Sequence, residues 1–79
     1  MLTAEVAVYP LKTSKATNVI SNSINTLQGN NVQYSVNSMN TEIKGNKAEI
    51  FSSLEAMFTE AENSGGEISM VVTISNASK

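Results

Sequence analysis

The sequence predicts an α+β fold: one four-stranded antiparallel sheet with two helices on one face, in the order β-α-β-β-α-β. Three observations carry that reading. Short segments near the beginning, middle and end alternate apolar and polar residues with the period of two that a strand imposes. Two segments between them place apolar residues three and four apart, the spacing of a helix buried along one stripe. Breakers, Pro10, Gly29-Asn30 and Gly65-Gly66, stand where the period changes.

In "LTAEVAVY" (2–9), Leu2, Ala4, Val6 and Val8 share one side and Thr3, Glu5, Ala7 and Tyr9 the other; Pro10, with no N–H for a ladder, ends the strand. "LKTS" is a loop, and Thr13 or Ser14 caps a helix from about 15 to 28 with Ala16, Val19, Ile20, Ile24 and Leu27 on its stripe. Gly29-Asn30 stops it. "NVQYSV" (31–36) is a second strand, "NSMN" (37–40) a turn, and "TEIKG" (41–45) a third strand with Ile43 inward. Asn46 followed by Glu49 reads as a capping box opening a second helix, whose stripe is Ala48, Phe51, Leu54, Met57 or Phe58, and Ala61. "NSGG" (63–66) ends it, and residues 67–75 form the last strand.

Two interleaved crossover units of right-handed connection give a ferredoxin-like sandwich. The helices cover one sheet face. The other carries Ala7, Tyr9 and Val71 among Glu5, Thr73, Gln33 and Ser35. An ordinary last strand with one wet face alternates, but Met70-Val71-Val72 is apolar on both sides. The expectation is self-association through the open sheet face or an edge strand, as a homodimer or a dimer of dimers.

Composition excludes several function classes. Seventy-nine residues are one domain, with a core too small to be generous. There is no Cys and no His, so neither a disulfide nor an ordinary zinc site can be built, and oligomerisation is the supplement left. The charge comes from seven Glu and five Lys, net −2, with no basic stripe to meet a nucleic acid. No apolar run is long enough to span a bilayer, and residues 1–15 lack the pattern of a secretory signal; a cytoplasmic protein is expected. Without His, Cys, Asp or Arg, acid–base work falls to Glu, Lys or Tyr, and a Ser-His-Asp or Cys-His arrangement is impossible. A binding module is favoured over an enzyme, with no cofactor and no metal.

A sheet with one Tyr, a carboxylate and several hydroxyls and amides suits a flat polar heterocycle. Tyr9 is either a stacking platform or a packing residue at the sheet end. Glu5 either accepts from an exocyclic amine or is a solvated strand residue near Lys44. Thr41 shares the parity of Met39 and Ile43 and points toward the helices. Its hydroxyl either bonds a local carbonyl or lines a pocket between sheet and helices. Ser23, on the first helix's stripe, raises the same choice. Asn76 shares the parity of Ile74 at a strand end, where it is a ligand contact or a fraying terminus. Met39, Met57 and Met70 read as core filler rather than a soft metal site.

Three separated pieces, "AEVAVYPL" (4–11), "MNTEIKG" (39–45) and "MVVTISNA" (70–77), together resemble the Ykof-like family of small thiamine/hydroxymethylpyrimidine-binding proteins. The resemblance runs over essentially the whole chain; "YPL" and the terminal "VVT-hydrophobic-SNA" are its more specific parts. It implies a ferredoxin-like domain that binds thiamine or its pyrimidine precursor without turnover, for salvage, transport or sequestration. Residue by residue it points to Tyr9, Thr41, Ser75 and Asn76, and Glu5 lies in the first matching piece. Where an alanine-cysteine often closes the family's last segment, this chain has Ser78, so a thiol role has no carrier. The aminopyrimidine presents a donor–acceptor edge that amides, hydroxyls and a carboxylate read, and an acidic protein does not repel the thiazolium cation. Thiamine diphosphate fits less well, with few lysines and no glycine-rich nest. The competing readings are a structural or regulatory homo-oligomeric interaction module and, ranked last, an enzyme acting through Glu and Tyr.

Overall fold

The computed structural model describes residues 1–77; Ser78 and Lys79, and with them the expectation about the family's closing cysteine, lie outside. The elements follow the expected order: β1 (Leu2–Pro10), α1 (Ala16–Asn25) running into a 3₁₀ turn (Thr26–Gly29), β2 (Gln33–Val36), β3 (Thr41–Gly45), α2 (Lys47–Gly65) and β4 (Ile68–Ser75). The sheet is antiparallel in the order β2-β3-β1-β4. β1 is central, pairing Val6 with Thr41 on one side and with Val72 on the other. This is the ferredoxin-like arrangement.

Local chemistry explains the boundaries. The Asn46 side chain accepts from the Glu49 N–H at 2.9 Å, the Asn half of the anticipated capping box. At its other end α2 stops on Gly66, whose φ of +76° suits a residue without Cβ, and whose N–H donates to Glu62 O. The start of α1 differs from expectation. Lys15 is its cap residue and no side chain caps it, because the Thr13 hydroxyl is taken up by the Lys15 N–H at 3.0 Å, one residue short of the helix. Gly29 closes the 3₁₀ turn without a positive φ, so α1 ends by tightening rather than by a left-handed residue.

The core lies between sheet and helices: Ala4, Val6 and Ile43 from the strands, Leu27 after α1, and Ile50, Leu54 and Met57 from α2. Here α2 departs from the sequence reading. Its buried stripe is Ile50, Ser53, Leu54, Met57 and Ala61; Ala48 and Phe58 are exposed and Phe51 is 50% exposed. The helix is rotated by about one residue from the phase its phenylalanines suggest. Close approach to α1 is one part of the reason. A Cβ on Gly65 would stand 3.0 Å from a Val19 methyl, and the helices bury small residues, Ser23 of α1 and Ser53 and Ala61 of α2, while the phenylalanines turn outward. Ser23 satisfies itself by donating to Ile20 O at 2.8 Å, whereas the fully buried Ser53 hydroxyl has no partner.

Met39 is also corrected. It is not core filler but 81% exposed, because it sits in the turn between β2 and β3, beyond the strand whose parity it shares. Met57 is buried and Met70 packs partly buried against the core, as expected.

Candidate functional site

The residues on the helix side of the sheet do not close up everywhere. α1 packs on β1 and α2, and Val36, on the helix side of the short edge strand β2, stays largely in water. The gap between α1 and the β2–β3 end of the sheet is a cleft of about 470 Å³, within the size range of small-molecule sites. Val6, Val8 and Met57 contribute its apolar interior, Ala16, Ile20 and Ile24 of α1 one wall, and Val36 with the turn residues Asn37 to Asn40 the other.

Thr41 lines this cleft while only 4% exposed, as its parity anticipates. It opens β3, held between Val6 and Val36 in the ladder. Its hydroxyl makes no hydrogen bond among the described residues, unlike those of Ser23 and Thr26, which bond local carbonyls. Among the described residues the fully buried hydroxyl without a partner is that of Ser53; the Thr41 hydroxyl is reached from the cleft, where water or a bound polar group can pair with it. Tyr9 stands at the same end of the sheet, half-exposed and part of the lining.

The turn that forms the outer wall is tied down. Asn37 N–H donates to Asn40 O at 2.8 Å, and the Asn40 side chain donates to Glu5 Oε2 at 3.1 Å. Glu5 itself projects from the open face, directly opposite Glu42, whose carboxylate is 3.7 Å from Lys44 Nζ. Glu5 therefore touches the site through Asn40 and is absent from the cleft lining.

Ser75 and Asn76 lie at the other end. Ser75 pairs with Thr3, six ladder positions from Tyr9, which is roughly 20 Å along a strand. The Ser75 hydroxyl accepts from Ala77 N–H at 3.0 Å in a local turn. The structure thus brings Tyr9 and Thr41 together, places Glu5 behind them, and sets Ser75 and Asn76 apart from this cleft.

The lining holds no Lys, Arg, Asp or Glu, so the cleft offers apolar surface, the Thr41 hydroxyl, the amides of Asn37 and Asn40, and the hydroxyls of Tyr9 and Ser38. Another depression on the helix side is lined by Asn22, Asn25, Thr26 and Glu60 and has no comparable apolar wall. No group of three or more carboxylates that could hold a metal ion occurs among the described residues, and no helix there is long and apolar enough to cross a membrane.

The model of the YKOF-related family matches residues 2–79. The chain belongs to the YKOF-related family. Solved structures share its fold. A Streptococcus pneumoniae protein is 22% identical with a TM-score of 0.90, covering 98% of this chain and 87% of that one. A hypothetical protein of Methanocaldococcus jannascii is 19% identical with a TM-score of 0.87, over 98% and 80%. A Thermotoga maritima protein with a provisional thiamine biosynthesis/salvage assignment is 19% identical with a TM-score of 0.84, over 96% and 83%. No curated protein matches.

In this YKOF-related chain, sequence reasoning found Tyr9 and Thr41 but missed most of the wall. Ile20 and Ile24 read as core because their stripe continues that of Val19 and Leu27; only Val19 and Leu27 are buried, and the other two look into the cleft. The available signal was length: a ten-residue helix above a four-residue edge strand leaves a corner of the sheet uncovered.

Proposed function

We propose that this chain binds thiamine or its hydroxymethylpyrimidine moiety in the cleft between α1 and the sheet and releases it unchanged, serving vitamin B1 salvage, transport or sequestration. The observation that carries the reading is the Thr41 hydroxyl: on a buried residue, without a hydrogen bond to a described residue, and open to an apolar cavity sized for a single heterocycle. Membership of the YKOF-related family and the thiamine salvage assignment of the Thermotoga maritima protein support it. The flat ring rests on the apolar lining near Tyr9, the Thr41 hydroxyl reads its polar edge, and Glu5 holds the turn through Asn40. Ser75 and Asn76 are too far along the sheet to touch a ligand in this cleft. No cofactor is invoked. The lining has no carboxylate or amine, so acid–base work in the cleft would fall to the Tyr9 phenol alone.

Isothermal calorimetry against thiamine, hydroxymethylpyrimidine and thiamine diphosphate tests the proposal. A saturable signal for one of the first two, with a weaker one for the diphosphate, is expected. Silence with all three from folded protein overturns it.

The reading as a homo-oligomeric interaction module has its own observation. β4 is a free edge of eight residues with no charge or proline, and Val71 on the open face is 57% exposed. Strands of this kind invite pairing with another copy. A dimer or dimer of dimers in light scattering, together with silence in calorimetry, selects this reading over the first.

A further inference from the structure

We propose that Met39 is a ligand-binding residue that folds over the mouth of the cleft and clasps the flat face of the bound heterocycle. The inference rests on the cleft being the ligand site. Met39 belongs to the cleft wall and is nevertheless 81% exposed, an apolar side chain held in water beside an apolar cavity. In the free protein this exposure contributes nothing to folding. The backbone that carries it is fixed: the turn is closed by Asn37 N–H on Asn40 O and tied to β1 by Asn40 on Glu5. Movement is therefore left to the side chain, whose three rotatable bonds and polarizable thioether suit it to close on a planar ring. Tyr9, Leu11 and Val36 are also exposed apolar residues of this end of the molecule, and a ring under Met39 extends the apolar surface that Tyr9 and Val36 line. The cleft lining is uncharged, so the part enclosed is a neutral ring, and any charged portion of the ligand stays outside.

Oxidative footprinting tests this, because hydrogen peroxide converts exposed thioethers to sulfoxides. Met1, 86% exposed and away from the cleft lining, is an internal control, and buried Met57 reports unfolding. Peptide mass spectrometry follows each site with and without saturating hydroxymethylpyrimidine. The expected result is that Met39 oxidation slows by about fivefold relative to Met1 while Met57 stays unreacted. In parallel, Met39→Ala weakens binding by about tenfold, mainly through faster dissociation, Met39→Leu stays within about threefold of the parent, and neither shifts the melting temperature of the free protein. Binding with Met39 still oxidised at its free rate, or Met39→Ala binding like the parent, overturns the clasp and leaves the cleft reading standing. Protection of Met39 that rises with protein concentration alone assigns it to an interface between copies and also overturns the clasp. Absence of any calorimetric signal for the parent removes the cleft reading and the clasp together.

Discussion

The Asn40 amide donates to the Glu5 carboxylate across 3.1 Å, and this contact joins the two faces of the sheet. Asn40 belongs to the turn that walls the cleft on the helix side; Glu5 projects from β1 on the open side, opposite Glu42. Like charges directly opposed across a ladder repel, so Asn40 also gives Glu5 a neutral donor in place of a counter-ion.

Replacing Glu5 by Ala releases the turn without unfolding the protein. The contact is exposed, and its loss is offset by removal of the Glu5–Glu42 repulsion, so global stability changes by less than about 0.5 kcal/mol. Amide exchange at residues 37–40 accelerates severalfold in mass-spectrometric hydrogen exchange while that of β1 holds. Unchanged exchange in the turn contradicts the tether.

Thr41→Val keeps the shape and removes the hydroxyl. Because that hydroxyl has no protein partner among the described residues, the free protein melts at or slightly above the parent temperature. Affinity for hydroxymethylpyrimidine falls by about tenfold, one neutral hydrogen bond. A variant that binds normally takes Thr41 out of the site.

Ser53→Ala is expected to stabilise. The Ser53 hydroxyl is fully buried in α2 with no partner. Deleting it removes an unsatisfied group and improves helix propensity, worth about 1 kcal/mol. A lower melting temperature in calorimetric scans would show that the hydroxyl is satisfied in solution.

Asn46→Ala strips the N-terminus of α2 of its only side-chain cap. A loss of about 1 kcal/mol is expected, equivalent to a melting temperature lower by about 4–8 °C in a domain of this size. Asn46→Asp, which can accept the same hydrogen bond, is expected to restore it.

The order of elements along the chain, the Asn46 cap and the inward direction of Thr41 were legible because each depends on residues adjacent in sequence. Parity places Thr41 with Ile43, and a cap needs only Asn46 and Glu49. The phase of α2 was legible in part: Leu54, Met57 and Ala61 are buried as expected, whereas Ala48 and Phe51 are exposed and Ile50 and Ser53 take the inward places. Ile50 and Phe51 are neighbours, and either begins an apolar stripe; the choice rests on tertiary packing, of which the close approach of Val19 to Gly65 is one part. Met39 misled for a related reason. Strand parity was carried into a turn, where the backbone no longer alternates. The cleft itself depends on how far α1 stands from β2, a tertiary spacing that the period of neither segment contains.

The sheet order has a temporal consequence. β1 is made first and sits in the centre, yet one of its edges is completed only by β4, with Thr3 against Ser75 and Tyr9 against Ser69. A chain leaving the ribosome N-terminus first holds a finished β2–β3–β1 half-sheet and both helices while β1 still shows a bare edge. Closure waits on the pairing most distant in sequence, which carries the largest loop entropy and sets a slow step. For that interval the nascent chain exposes the backbone groups of its central strand, and the arrival of Ile68–Ser75 seals them.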